Sequence, residues 1–260
     1  MKGCTMMATI KQRLASGENI LGTMTNILSH PDLPKIFKTC GLDYFIIDCE
    51  HGCYEYNQVA AMIAVAKEIG VAAMVRVPMA SREPILRFME MGADGLMLPN
   101  ADTPEEARKL VEYAKYSPMG KRGMSMMRGH NRYIPVTDTL GYMKEANENT
   151  ILIAQIESPE GVANIDDILA VEGIDIAFMG PNDLCNNLGV TGNQNAPCYL
   201  ESVEKVIEAS KRHGKACGTH GMNVDILKHW ESKGMQFNLY SNEVSMIMND
   251  AGAAVKAMKQ

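Results

Sequence analysis

Hydrophobic residues in this chain fall into short, nearly continuous runs separated by segments of helical spacing. Eight runs read as strands: 20–27 (ILGTMTNI), 44–49 (YFIIDC), 72–78 (AAMVRVP), 95–99 (GLMLP), 150–157 (TILIAQIE), 174–180 (IDIAFMG), 215–221 (KACGTHG) and 237–242 (FNLYSN). They do not alternate apolar with polar, as strands covered on both faces do not. Between them, 57–70, 161–171, 201–214, 224–234 and 243–258 carry apolar residues at helical spacing. Gly70, Gly214 and Gly234 stand where helices stop, and Thr103-Pro104-Glu105-Glu106 reads as an N-cap, a first-turn proline and a capping box. Strands alternating with helices predict a single (β/α)8 barrel over residues 1–260, with a doubly wound open sheet as second choice. The rhythm lapses over 116–149, where a polar segment carries a short helix near 138–148. This segment is expected to be a functional loop on the catalytic face.

Several strands end in residues able to do chemistry: Asp48, Glu50 and His51 after the second, Arg76 in the third, Glu157 after the fifth and Asp183 after the sixth. Charges at the ends of apolar strands are costly to desolvate unless paired or bound to metal, so they point to one shared polar site at one end of the barrel. Glu157 and Asp183, on neighbouring strands, suit a hard divalent cation such as Mg²⁺ or Mn²⁺ rather than structural zinc. Each could instead cap a helix or bond nearby backbone. Arg76 offers a fork of donors to a substrate carboxylate or an enolate oxygen, or serves a structural ion pair. His51 is a candidate acid or base, with Glu90 or Asp48 as its orienting partner, or simply a loop histidine. Glu50 could hold metal-bound water. Gly180-Pro181-Asn182-Asp183 forms a tight turn whose free N–H groups could receive a carboxylate.

Composition narrows the function. The net charge of −6 disfavours nucleic acid or an anionic membrane as partner, and no apolar run is long enough to span a bilayer. The N-terminus lacks a signal-peptide core. Seven cysteines, an odd number without metal-site spacing, suggest reduced thiols and a cytoplasmic location. The 21 methionines read as core filling. No glycine-rich phosphate loop is present. Lys215, the only lysine in a strand candidate, lies at a strand's opening end, which argues against a Schiff-base aldolase.

The ordered set DCEHG, VRVP, MEMGADGLMLP, EEARKLVEYAKYSPMGKRG, QIESPEGVANIDDI and VEGIDIAFMGPNDL resembles the HpcH/HpaI aldolase family (2,4-dihydroxyhept-2-ene-1,7-dioate and 2-dehydro-3-deoxyglucarate aldolases) from about residue 20 to 220. The resemblance implies a (β/α)8 barrel and a homo-oligomer, hexamer or trimer, with an exchanged C-terminal helix. It implies class II cleavage of a 4-hydroxy-2-oxo acid to pyruvate and an aldehyde, using Mg²⁺, Mn²⁺ or Co²⁺. By motif, Glu157 and Asp183 would hold the metal, and Arg76 would bind the pyruvate oxygen. His51 would be the base, with Glu90 where the family commonly has Asp. Gln155, Gly180, Pro181, Asn182 and Asp183 would surround the 2-oxo acid. The chain departs from the pattern at Met24, at Glu90, in the basic segment with Arg128, His130 and Arg132, and at the ends of strands seven and eight, where His220 sits. The basic segment hints at an acidic acceptor. The same fold also hosts citrate-forming condensation, so a related enolate-forming condensing enzyme, citrate-synthase-like or acyl-CoA lyase-like, is the enzyme alternative, and a barrel that only binds a metabolite is the non-enzyme alternative.

Overall fold

A computed structural model describes residues 8–259. Eight parallel strands close in sequence order into a barrel: β1 (Ile20–Thr25), β2 (Tyr44–Asp48), β3 (Ala72–Arg76), β4 (Gly95–Leu98), β5 (Ile151–Ile156), β6 (Ile176–Met179), β7 (Ala216–Gly221) and β8 (Phe237–Asn242). A short α1 (Ile10–Ala15) precedes β1. Around the barrel run α2 (Leu33–Thr39), α3 (Tyr56–Ile69), α4 (Arg82–Met91), α5 (Pro104–Ala114), α6 (Thr139–Asn149), α7 (Pro159–Ala163), α8 (Ile165–Leu169), α9 (Pro181–Asn187), α10 (Pro197–His213), α11 (Val224–Lys233) and α12 (Glu243–Lys259). Every expected strand is present, and the open sheet is excluded.

The period of two along each strand builds two cores. Tyr44, Ile46, Met74, Met97, Ile151, Ile153, Ile176, Phe178, Phe237 and Leu239 fill the barrel interior. Phe45, Ile47, Ala73, Val75, Leu96, Leu152 and Ala177 face outward into the layer between strands and helices. This explains the unbroken apolar runs, since both strand faces are dry. It also fixes side-chain direction at the strand ends. Asp48 continues the inward series Tyr44, Ile46, and Arg76 follows Met74.

The amino ends carry a device that repeats around the barrel. Each even strand is entered through a glycine in the left-handed region: Gly41 (φ 86°), Gly92 (φ 98°), Gly173 (φ 99°) and Gly234 (φ 113°). Two residues later, Asp43, Asp94, Asp175 and Gln236 bridge the flanking odd strands. Their N–H groups donate to the carbonyls of Leu21, Ala73, Leu152 and Cys217, and their carbonyls accept from Ala72, Ile151, Ala216 and Ile20. Only glycine adopts that turn without the steric cost of a Cβ.

The helices hold the differences. The Thr103 capping box forms as expected, and Gly70, Gly214 and Gly234 end their helices in the left-handed conformation. The helix expected over 161–171 is instead α7 and α8, divided at Asn164. The one expected from 201 starts at Pro197. Helices α1, α2 and α4 carried no sequence-based expectation, and α9 follows the turn at Gly180.

The 116–149 segment is not on the catalytic face. Helix α5 comes first and carries the chain from the carboxyl end of β4 back toward the amino end of β5, so the segment leaves from the opposite end. There the Arg132 guanidinium donates to the carbonyl of Lys67, near the C-terminus of α3. Lys115 anchors it: fully buried, its Nζ donates to the carbonyls of Asn147 and Thr150, both at 2.6 Å.

Candidate active site

At the carboxyl ends of β2 and β3, Asp48 and Arg76 stand opposite each other in the strand register. The Arg76 Nε donates to Asp48 Oδ1 at 2.9 Å, and Nη2 donates to Oδ2 at 2.7 Å. Asp48 also accepts from the Asn26 amide at 2.8 Å and from the backbone N–H groups of Glu50 and His51. Burial alone would push its carboxyl up, but the guanidinium and these N–H groups hold it below the ordinary value. Asp48 therefore orients Arg76 and folds the turn that carries Glu50 and His51. The third guanidinium nitrogen, Nη1, lies 3.1 Å from Glu50 Oε2, out of line for a hydrogen bond.

Across the mouth, Glu157 follows β5 and is nearly fully buried. Its Oε1 accepts from the N–H of Asn100 at 2.8 Å and its Oε2 from the Gln155 amide at 2.6 Å. So the backbone-bonding role open to it in the sequence is realised, without exhausting its lone pairs. Burial pushes its carboxyl up to about 7, opposed by the Asn100 N–H and reinforced by Asp183 and Glu50. A Cβ at Gly180 would lie 2.2 Å from Glu157 Oε2, so only glycine lets β6 pass this carboxylate. Asp183 is exposed in the first turn of α9 and caps nothing with its side chain. The N–H groups of Asn182 and Asp183 start that helix and have no acceptor within it, the first intrahelical bond running from Leu184 to Gly180.

The site thus gathers Asp48, Glu50, Glu157 and Asp183 around one guanidinium, which leaves it short of positive charge. Burial also raises the Glu50 carboxyl, with Arg76 opposing. Two buried oxygens here have no hydrogen-bond partner, Glu50 Oε2 and Gln155 Oε1. Two carboxylates, an unpartnered amide oxygen and surplus negative charge make a donor set suited to a hard oxygen-seeking cation. Among the described residues, no three His, Cys, Asp or Glu side chains group as a self-sufficient metal cage. A cation here would rely on substrate or water oxygens for its remaining positions.

His51 is exposed, and its nearest carboxylate is Glu50, with Nε2 to Oε2 at 3.8 Å. Glu90 does not join it within this chain. Helix α4 runs away from the mouth, and Glu90 near its last turn faces Arg122 at 3.3 Å, His130 at 3.8 Å and Arg128 at 3.9 Å. Adjacency to strand four in sequence misled here, because the chain enters that strand at its amino end. The basic residues Arg128, His130 and Arg132 lie with Glu90 at that end, away from Arg76. They give no support to an acidic acceptor at the mouth.

Sequence reasoning passed over Asn26, Asn100 and Glu243. Glu243, the buried first residue of α12, accepts from the N–H groups of Asn26, Ile27 and Leu28 and so fixes the loop that delivers Asn26 to Asp48. A buried glutamate directly after the last strand was the available signal.

The carboxyl face of the barrel thus presents two carboxylates beside an arginine held on a buried aspartate, oxygen donors and a guanidinium at one mouth. The family model for HpcH/HpaI aldolase/citrate lyase matches residues 26–249, and the chain belongs to that family, which makes it a carbon–carbon lyase. It is 30% identical over 260 residues to a hydroxypyruvate/pyruvate aldolase of Deinococcus radiodurans, covering 100% of this chain and 92% of the relative. An HpcH/HpaI aldolase of known structure from Desulfitobacterium hafniense superposes with a TM-score of 0.93 at 35% identity, covering 97% of each chain. The citrate synthase SbnG superposes at 0.87 with 27% identity, covering 97% of this chain and 98% of that one.

Proposed function

We propose that this protein is a divalent-metal-dependent (class II) aldolase cleaving a 4-hydroxy-2-oxo acid to pyruvate and an aldehyde. The observation that carries this reading is the surplus of carboxylates around Arg76, with Glu157 pushed up to about 7 by burial and by Asp183 and Glu50, more than the Asn100 N–H and Arg76 offset. Glu157 and Asp183 would hold Mg²⁺ or Mn²⁺, with Co²⁺ also fitting the donor set. When bound, the cation withdraws charge from the 2-oxo group, so that cleavage leaves an enolate rather than a free carbanion.

The chain's own residues do the rest. Arg76 is oriented by Asp48, and its guanidinium would donate to the keto oxygen as negative charge develops there. The free N–H groups of Asn182 and Asp183 receive the carboxylate. His51 takes the proton from the hydroxyl on carbon 4. The electrons of that O–H bond form the aldehyde carbonyl, the bond between carbons 3 and 4 breaks, and its pair passes into the enolate. Carbon 3 then regains a proton to give pyruvate.

A second reading is condensation of the same enolate with a carboxylate-bearing acceptor, favoured by the likeness to SbnG. It would give a citrate-like product and no aldehyde. Homo-oligomerisation belongs to the proposal too. Helix α12 leaves Ile247, Met248, Val255 and Met258 exposed, apolar surface that a second subunit would cover. No helix among the described residues is long and apolar enough to cross a membrane.

The test is pyruvate enolisation. Chelator-stripped protein is incubated with pyruvate in D₂O, with and without Mg²⁺ or Mn²⁺, and loss of the methyl proton signal is followed. Metal-dependent exchange, reduced at least about a thousandfold by Glu157→Ala, is the expected outcome. No exchange with any metal would sink the reading.

A further inference from the structure

The proposed reaction leaves His220 without a role, yet the fold goes out of its way to hold it. On β7, Ala216 packs into the barrel interior and Cys217 into the outer layer, so the period of two turns His220 inward, at the carboxyl end of the strand. It is partly buried, and its Nε2 lies 3.2 Å from the carbonyl of Ser241. A carbonyl can only accept, so Nε2 carries the hydrogen. Burial lowers the pKa of the ring, the Ser241 carbonyl opposes this, and the nearby Arg76 guanidinium adds to the lowering. The ring is therefore neutral, and Nδ1 is a lone-pair acceptor that no donor among the described residues engages.

The Ser241 carbonyl is not where a regular strand would put it. Gly22 pairs with Leu239 but Met24 with Asn242, so β8 carries one extra residue against β1. Ser241 sits in the left-handed region (φ 53°) within this bulge, and Thr23 Oγ1 pins the bulge by donating to the carbonyl of Tyr240 at 2.8 Å. A non-glycine residue in that conformation costs about 1 kcal/mol. Bulges beside active sites commonly re-aim a group, and here the group is the acceptor that fixes the His220 tautomer.

We propose that His220 is a specificity-determining residue, its Nδ1 accepting a hydrogen bond from a hydroxyl on carbon 3 of the 2-oxo acid. The enzyme would then prefer a 3-hydroxy-2-oxo acid of the hydroxypyruvate class to pyruvate as the nucleophilic half. This rests on the reading above that places the 2-oxo group against Arg76. His220 projects from the barrel wall near Arg76. It therefore meets the acid that Arg76 holds, rather than an acceptor arriving later from the open face. A hydroxyl supplies the one thing Nδ1 lacks, a donor. Pyruvate, with a methyl group there, leaves the acceptor unpaired in a partly dry site, a mismatch that sites built for a hydroxyl discriminate strongly.

The experiment compares metal-dependent proton exchange at carbon 3 of hydroxypyruvate and of pyruvate, above the protein-free background. It uses the metal-loaded wild type, His220→Leu and His220→Gln, with thermal midpoints recorded to show that each variant folds. The wild type should favour hydroxypyruvate in kcat/KM by about tenfold or more, and His220→Leu should collapse that ratio by at least about tenfold. His220→Gln, which keeps an acceptor, should recover part of it. A ratio in His220→Leu within about twofold of the wild type, whether both rates fall together or neither does, overturns the assignment while leaving the aldolase reading intact. Absence of exchange with both acids in the wild type overturns the two together.

Discussion

The two ends of the barrel use the same residue type to opposite effect. At the amino ends, Asp43, Asp94 and Asp175 each accept the N–H of the preceding strand, from Leu21, Ala73 and Leu152, all at 2.9 Å. Each also faces a cation: Arg13 at 2.7 Å, Lys67 at 3.7 Å and Lys11 at 2.9 Å. Each of these carboxylates has its own cation within reach, although Arg13 also pairs with Glu18. At the carboxyl ends, Asp48, Glu50, Glu157 and Asp183 share Arg76. An aspartate at a strand end thus either completes a local pair or adds to a surplus of charge, according to whether its charge is answered locally. The imbalance is confined to the mouth, where a cation and a substrate can answer it.

Asp48 breaks the division most sharply, because it sits at the reactive end but is paired like the structural ones. Asp48→Ala would leave Arg76 buried without its bidentate partner, and removing one member of such a pair costs about 3–5 kcal/mol. The expected result is a stability loss of that size in urea denaturation, together with loss of enolisation. Glu157→Ala is the contrast: it removes a carboxylate that burial penalises, which offsets the stranded Asn100 N–H and Gln155 amide, so the metal-free protein should lose far less stability than Asp48→Ala while exchange is lost. Equal destabilisation by the two substitutions would show that the mouth is held together by all its charges rather than strained by some of them.

The reactive end was largely legible in the sequence because a charge after a dry apolar run is conspicuous. Arg76, Glu157 and Asp183 were singled out that way, and the structure brings them into one mouth. The structural end was less visible, although its pattern is written in GLDYF, GADGL and GIDIA. Those segments recur at unequal spacing and differ at most positions, so no fixed period exposes them. Helices α2 and α9 are only seven residues long, and α4 has a proline in its first turn, so little periodicity announces them. Glu90 and the 116–149 segment were misplaced for one reason. Which end of a barrel a residue occupies depends on how many helices the chain has traversed, not on which strand lies nearest in sequence. The aim of His220 depends on a one-residue bulge in another strand, which no local pattern encodes.

Lys115 sharpens the comparison at the amino end, where it is a buried cation without a carboxylate of its own. Burial pulls its pKa down to about 7, Lys11 adds to the lowering and Asp175 opposes it. A neutral amine still has the two hydrogens that the carbonyls of Asn147 and Thr150 require. The folded pKa lies below the unfolded value, so between about 7 and 10.5 the unfolded chain binds the extra proton, and stability rises with pH across that window. From pH 7 to 9 the gain should be about 2 kcal/mol, read as an upward shift in the denaturation midpoint. Lys115→Met should flatten this rise, and the two stranded carbonyls should cost stability most clearly near pH 9, where the wild-type amine is neutral. A wild-type midpoint that does not move over this range would mean that Lys115 stays charged.

The smallest effect is expected where the pairing is loosest. Asp94 meets Lys67 at 3.7 Å with both side chains partly exposed. Asp94→Asn keeps an oxygen for the Ala73 N–H and loses only a screened ion pair, so it should cost less than about 1 kcal/mol in thermal unfolding. Asp175→Asn, with a closer lysine and a wholly analogous N–H acceptor, should cost slightly more. Their side chains bond different N–H groups, those of Ala73 and Leu152, and different lysines, so the losses should add to within about 0.5 kcal/mol. Neither should change the rate of pyruvate exchange beyond about twofold, since neither touches the mouth. A large fall in exchange from either substitution would mean that charge at the amino end reaches Arg76 or Glu157 through the barrel, and the two ends could no longer be treated as separate.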